Sequence, residues 1–234
     1  MSAAAAPLRV VLASNNAKKL SELRALLCAD LGMGKGVASL PLALVAQGEL
    51  DIAEAEEPHA TFIENALAKA RHAARASGGA ALADDSGVCV DALGGAPGVV
   101  SAHYAELTAA ETAQAEHTMD REARRRIQDA ANNRLLLQRL HGVQGNARRA
   151  MFVSTLVVLR HADDPQPLVA VGRWPGMILD APRGTLGFGY DPLMFIPEAG
   201  CTVAEMDASQ KNAISHRARA MVQLQTLLRE VWAW

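Results

Sequence analysis

A chain of 234 residues, half of them hydrophobic and about a fifth charged, can bury a substantial core as one domain or two closely packed lobes, so it is globular. Its formal net charge of −2 and seven dispersed histidines exclude a basic nucleic-acid footprint and a His/Cys zinc site. Cys28, Cys89 and Cys201 lie far apart and outside any CxxC pattern, and no stretch reads as a secretory signal or membrane span, which together predict a disulfide-free, cytoplasmic protein.

Residues 8–13 predict a strand, and Leu20, Leu23, Leu26 and Leu27 give residues 17–27 helical spacing. Between them, Ser14-Asn15-Asn16 carries a strand into a helix start. Unpaired N–H groups and the positive dipole end attract phosphate there, and Lys18 and Lys19 add charge. Ser14 or Asn16 equally suits a simple helix cap. Without GxxxxGK[ST], the segment is no Walker P-loop. Residues 30–48 read as a glycine-rich loop into a second strand, and 49–59 as an acidic connector whose Glu54, Glu56 and Glu57 fit solvated surface. Residues 61–76 form a helix with a Thr61-to-Glu64 capping box and Gly78-Gly79 as its stop. Lys69 lies beside its apolar stripe, placed to snorkel or to reach an anion.

After the short strand 80–83, Asp84-Asp85-Ser86-Gly87 is expected at a strand end or tight turn. Two ionised carboxylates there must be hydrated, paired with Lys or Arg, or bound to a hard cation such as Mg²⁺, or else they only make an Asx turn. Residues 94–98 form a glycine-proline loop, 106–117 an exposed connection and 119–140 a long helix. Residues 150–159 and 168–172 predict a hairpin joined by the turn-rich 162–167, where Asp163-Asp164 has only a turn role. In residues 178–196, glycines on both sides of Phe188 leave a ring open to stacking on a base, or else form a glycine-rich hairpin turn with a buried Phe. Lys211, His216 and Arg217 gather donors near the start of a final helix, with Ser215 as its cap and Met221, Leu224, Leu228 and Val231 as its apolar stripe.

Five segments, in order along nearly the whole chain, resemble the motifs of the inosine/xanthosine triphosphate pyrophosphatase (XTP/dITP diphosphatase) family. SxNxxK is similar to residues 14–19, TFxENAxxKA to 61–70, ADDSGLxVDALxGxPG to 83–98, PRGxxGFGYDPxF to 182–195, and KNxISHRxxA to 211–220. The resemblance implies an α/β fold, an elongated, mixed, twisted β-sheet flanked by helices, as one domain over residues 1–234 with two lobes around a central cleft. It further implies a homodimer and Mg²⁺-dependent hydrolysis of ITP, dITP and XTP to monophosphate and pyrophosphate, removing damaged purines from the nucleotide pool. On its motifs, Ser14, Asn15, Asn16, Ala17, Lys18, Lys19 and Lys69 bind the triphosphate, Glu57 and Asp85 hold metal, Asp85 is the base for the attacking water, and Ser86 contacts substrate. Phe188, Gly189, Tyr190 and Asp191, with Lys211, His216 and Arg217, bind base and sugar. Lys18, His59 and Gln210 depart from the pattern, standing where glycine, glycine and an acid are usual. Two other classes fit parts of the chain: a non-catalytic nucleotide sensor, which could dispense with Asp85 and Glu57, and the septum-associated pyrophosphatases acting on pyrimidine or other modified triphosphates.

Overall fold

The computed structural model describes residues 8–28 and 42–232; most of the glycine-rich stretch before the second strand lies outside them. Strand β1 (Leu8–Leu12) pairs in parallel with β2 (Leu42–Ala46) on one side and β3 (Ala80–Val90) on the other. Parallel neighbours need long crossovers, and α1 (Ala17–Cys28) and α2 (Phe62–Ser77) lie within them. The sheet continues through β4 (Arg149–Leu159) and β5 (Leu168–Ile178) into antiparallel β6 (Met194–Ile196) and β7 (Cys201–Thr202), in the order β2-β1-β3-β4-β5-β6-β7. Helices α3 (Ala109–His117), α4 (Arg121–Arg139), α5 (Ala208–Ile214) and α6 (His216–Trp232) complete a mixed seven-stranded α/β architecture. No helix among the described residues is long and apolar enough to cross a membrane.

The chain divides into two compact units, residues 1–85, 154–173 and 212–234 in the first and 86–153 and 174–211 in the second. The first is layered, because side chains of a strand alternate between faces. On one face, Leu23 and Leu26 of α1 and Met221, Leu224 and Leu228 of α6 pack on Val10, Leu12, Leu44, Leu82 and Leu156. On the other, Ala66, Ala70, Ala73 and Ala74 of α2 lie on Val11, Ala81, Ala83 and Val157, small side chains that let the helix approach the sheet closely. Each fully buried leucine contributes about 1.5–3 kcal/mol. Thr61 caps α2 as expected, accepting from the Glu64 N–H, and Gly78 ends it with a left-handed φ of +67°. In the second unit, Trp174, Leu193, Met194 and Leu136 are fully buried, and the Arg148 guanidinium donates to the carbonyls of Leu140, Val143, Ile178 and Leu179.

Four local expectations are corrected. The acid pair sits inside β3 rather than at its end, because the strand runs on to Val90. Residues 109–117 are helical, started by a Thr108–Glu111 capping box. Lys211 lies within the separate helix α5. Val231 is 41% exposed, outside the stripe that buries Met221, Leu224 and Leu228. Ser215 does cap α6, its Oγ accepting from the Ala218 N–H at 3.2 Å.

Candidate active site

A strand that continues through two adjacent acids sends them to opposite faces. Ala80 and Leu82 belong to the layer under α1 and α6, Ala81 and Ala83 to the layer under α2. Asp84 accordingly meets α1 and α6, and Asp85 meets α2.

Lys69 of α2 places its ammonium 2.9 Å from Asp85 Oδ1 and 3.2 Å from Glu57 Oε2. Burial disfavours this ammonium, but the two carboxylates outweigh it and its pKa is raised. Asp85 has the reverse balance: burial pushes its carboxyl up to about 6, against the pull of Lys69 and with Glu57 adding to the rise. One cation between two anions favours the cation. The second oxygen of Asp85, Oδ2, is buried and has no hydrogen-bond partner. A buried carboxylate oxygen without a donor is costly unless something else meets it.

On the other face the arrangement is inverted, one anion between two cations. Asp84, 1% exposed, has Lys19 Nζ at 3.0 Å, Arg217 Nε at 3.2 Å and the Ser154 hydroxyl at 2.8 Å. Burial works against its charge, yet Lys19 and Arg217 hold the carboxyl far below the ordinary range. Lys19 is pushed down by burial and by its like-charged neighbours Arg217 and Lys69, which outweigh Asp84. Arg217 also reaches Glu22 of α1 at 2.8 Å. Among the contacts of the described residues, Glu57 and Asp85 share Lys69, and Asp84 and Glu22 share Arg217, with Lys19 also on Asp84. Among the described residues no three His, Cys, Asp or Glu side chains form a group that could hold a metal ion, and Glu57 and Asp85 meet as a pair on either side of Lys69. That ligand set suits Mg²⁺, which keeps waters and takes phosphate oxygens.

The capping reading of Asn16 holds: its Oδ1 accepts from the Lys18 and Lys19 N–H groups at 3.1 and 3.3 Å, and its own N–H donates to Ser14 Oγ. Asn15 Oδ1 is buried without a hydrogen bond, Ala17 is exposed and Lys18 half-buried. Ser86, half-buried on β3, is the first residue of the second unit.

The second unit brings together Phe188, Asp191 and Lys211. The Lys211 ammonium lies 2.9 Å from Asp191 Oδ2 and 4.6 Å from the Phe188 ring centroid, and the same Oδ2 accepts from the Phe188 N–H at 3.0 Å. Gly187 must be glycine, since a Cβ would strike the Asp191 carboxylate. Asp129 and Asn133 of α4 grip the Gly189 peptide, accepting its N–H at 2.8 Å and donating to its carbonyl at 2.9 Å. The Tyr190 hydroxyl donates to the Ser101 carbonyl at 2.9 Å, and burial pushes its pKa far upward. His216 and Arg217 are buried in the first turn of α6, in the first unit.

The partners Glu22, Ser154, Asp129 and Asn133 escaped the sequence reading, because nothing local marks a residue that meets its partner across a long stretch of chain. The three departures from the motif pattern suit the backbone at their positions. Lys18 lies in a helix, where lysine is favoured over glycine by roughly 0.5–1 kcal/mol. Asp51 is the one described non-glycine residue with positive φ, so the His59 position needs no glycine. Gln210 exchanges hydrogen bonds with Asp207 at 2.8 and 3.0 Å, a capping box that glutamine closes as an acid does.

The model of the Ham1 family matches residues 10–227 of this chain. A dITP/XTP pyrophosphatase of Methylibium petroleiphilum is 63% identical over 225 residues, covering 96% of this chain and 99% of the relative. That of Ralstonia nicotianae is 52% identical, covering 94% and 96%. Among solved structures, a HAM1 protein from Coxiella burnetii superposes with a TM-score of 0.76 at 38% identity, covering 96% of this chain and all of that one. The nucleoside-triphosphatase / dITP/XTP pyrophosphatase of Mycobacterium abscessus gives 0.64 at 35%, covering 93% and 98%.

Proposed function

We infer that this chain, which belongs to the Ham1 family, hydrolyses non-standard purine nucleoside triphosphates such as dITP, XTP and ITP at the α–β phosphoanhydride, releasing the monophosphate and pyrophosphate. The observation that carries the reading is the Glu57–Lys69–Asp85 group, which leaves one buried Asp85 oxygen without a partner. The relatives named above give no support to a septum-associated activity, and a sensor protein has no need of these acids.

A triphosphate would bring about four negative charges beside the carboxylates of Glu57 and Asp85, so the residues fit a reaction that recruits a divalent cation. Glu57 and Asp85 would hold Mg²⁺. Bound there, it would neutralise phosphate charge and polarise the phosphorus under attack. Lys19 and Lys69 attract the triphosphate, and residues 14–18 at the start of α1 contact its phosphates. Asp85, with a carboxyl poised near 6, accepts the proton of the attacking water at neutral and higher pH. Phe188 stacks on the base, its loop held in shape by Gly189, Tyr190 and Asp191. Lys211, beside the Phe188 ring, offers a donor to the 6-oxo group of hypoxanthine or xanthine, where adenine has an amine. Arg217 acts within the carboxylate pairs of Asp84 and Glu22. We extend the reading to a homodimer of one domain per chain, acting in the cytoplasm, where the half-buried thiols of Cys89 and Cys201 stay reduced. Light scattering at twice the monomer mass checks the dimer.

Initial rates on ITP, XTP and dITP against ATP and GTP test the activity, with phosphate measured after added inorganic pyrophosphatase. An adenine amine facing buried donors predicts ATP about 10–100-fold behind ITP. Equal rates on ITP and ATP, or orthophosphate appearing without the added enzyme, would overturn the reading.

A further inference from the structure

Glu57 sits in a segment with neither helix nor strand, residues 52–60, and its side chain is 46% exposed. Its ion pair with Lys69 does not by itself fix the backbone that carries it beside Asp85. What fixes that backbone lies along α2. His72 Nε2–H donates to the Ala53 carbonyl at 2.9 Å, the Lys69 ammonium meets Glu57 at 3.2 Å, and Asn65 closes on His59 twice. The Asn65 Oδ1 accepts the His59 N–H at 3.0 Å and its Nδ2 donates to the His59 carbonyl at 3.1 Å. Positions 65, 69 and 72 share one face of the helix. The segment therefore runs back along α2, with one polar contact at each turn of the helix.

The chemistry of the two ends is specific. Only a carboxamide offers a donor and an acceptor side by side, so it alone among side chains of this length closes on both backbone groups of one residue. Asn65 is 1% exposed, whereas His59 is exposed. A buried amide reaching out to order an exposed loop is not needed for the core, because water would satisfy the His59 backbone equally well. What it does is remove conformational freedom two residues from Glu57.

We propose that Asn65 and His72 are positioning residues, which hold residues 53–59 on α2 and so present the Glu57 carboxylate at a fixed place beside Asp85. The proposal rests on the role assigned to Glu57 above. Residues that orient a metal-holding carboxylate typically account for about 10–100-fold in metal affinity or activity.

The test compares Asn65→Leu, His72→Phe and, as a reference, Glu57→Gln in the full chain, by two measurements. One is amide hydrogen exchange of the metal-free protein. The other is the Mg²⁺ concentration for half-maximal ITP hydrolysis, together with KM for ITP at saturating Mg²⁺. Asn65→Leu should speed exchange across residues 57–61 at least about tenfold and leave α6 at the parent rate. It should raise the half-activating Mg²⁺ concentration about 10–100-fold and change KM less than about threefold. His72→Phe, at the far end and half-buried, should act in the same direction more weakly, and it keeps the test decisive if Asn65→Leu fails to fold. Unchanged exchange at 57–61, equal acceleration in α6, or faster loop exchange with an unchanged Mg²⁺ requirement would each overturn the proposal. If Glu57→Gln shifts the Mg²⁺ requirement and the two positioning variants do not, only the proposal falls. If Glu57→Gln leaves it unmoved, the metal role of Glu57 falls first and the proposal with it.

Discussion

Replacing Asp85 by asparagine should abolish turnover and yet make the metal-free protein more stable. The side chain is 4% exposed, and burial pushes its carboxyl up to about 6, where Lys69 lowers and Glu57 raises it. An unfolded aspartate titrates near about 4. Because the folded value is the higher one, the native state holds the proton more tightly between those two pH values. Stability therefore falls as pH rises from about 4 to about 6, and the whole cost is present above that window. Two pH decades at about 1.4 kcal/mol each amount to about 3 kcal/mol. Asparagine keeps an acceptor for Lys69, which retains Glu57 as its anion, so the lost charge on that hydrogen bond offsets about 1–2 kcal/mol. A net gain of about 1–2 kcal/mol corresponds to a Tm roughly 2–8 °C higher in a chain of this size. Thermal unfolding in chelator at pH 8 and again at pH 4 measures it, and the gap between variant and parent should close in acid as the parent's carboxyl takes up its proton. Millimolar Mg²⁺ should then raise the parent's Tm more than the variant's. A variant that melts below the parent at pH 8, or a gap unchanged at pH 4, would refute the electrostatic reasoning. Residual turnover above about 1% would refute the catalytic role.

The neighbouring acid should behave oppositely: Asp84→Asn leaves Arg217 and Lys19 without their shared carboxylate and should cost about 3–5 kcal/mol, read from the denaturant midpoint at pH 8. Since its partners depress the Asp84 carboxyl, that contribution is complete above about pH 4 and is lost as pH falls below it, so parent and variant should converge in acid. Arg148→Ala removes the donors of four backbone carbonyls and should cost at least about 3 kcal/mol; Arg148→Lys, with a single ammonium, should recover less than half in the same measurement. Gly172→Ala would drive a Cβ into the His216 carbonyl and the Ala220 N–H, so soluble yield should fall and Tm drop by the equivalent of at least about 1–3 kcal/mol; parent-like behaviour would show that β5 and α6 can separate without penalty.

Periodicity and capping chemistry made much of the first unit legible from the sequence. The leucine spacing of α1, the Thr61 cap and Gly78 stop of α2, and the Ser215 cap of α6 are local signals, satisfied within a turn of chain. Residue chemistry likewise marked the acids, lysines and glycine-flanked Phe188, and the motif order named the family. The division of labour between Asp84 and Asp85 was not legible, because it depends on β3 continuing where a turn was expected, and a strand's two faces acquire meaning only from what packs on each. The helix at 109–117 was missed because it consists of alanines and polar residues, and no stripe of large apolar side chains announces it. Tertiary structure alone decided that Arg217 finds Asp84 and Glu22, and that Asn133 finds Gly189. Those partners are far apart in sequence, and a charge or an amide carries no local sign of which distant group will satisfy it once water is excluded.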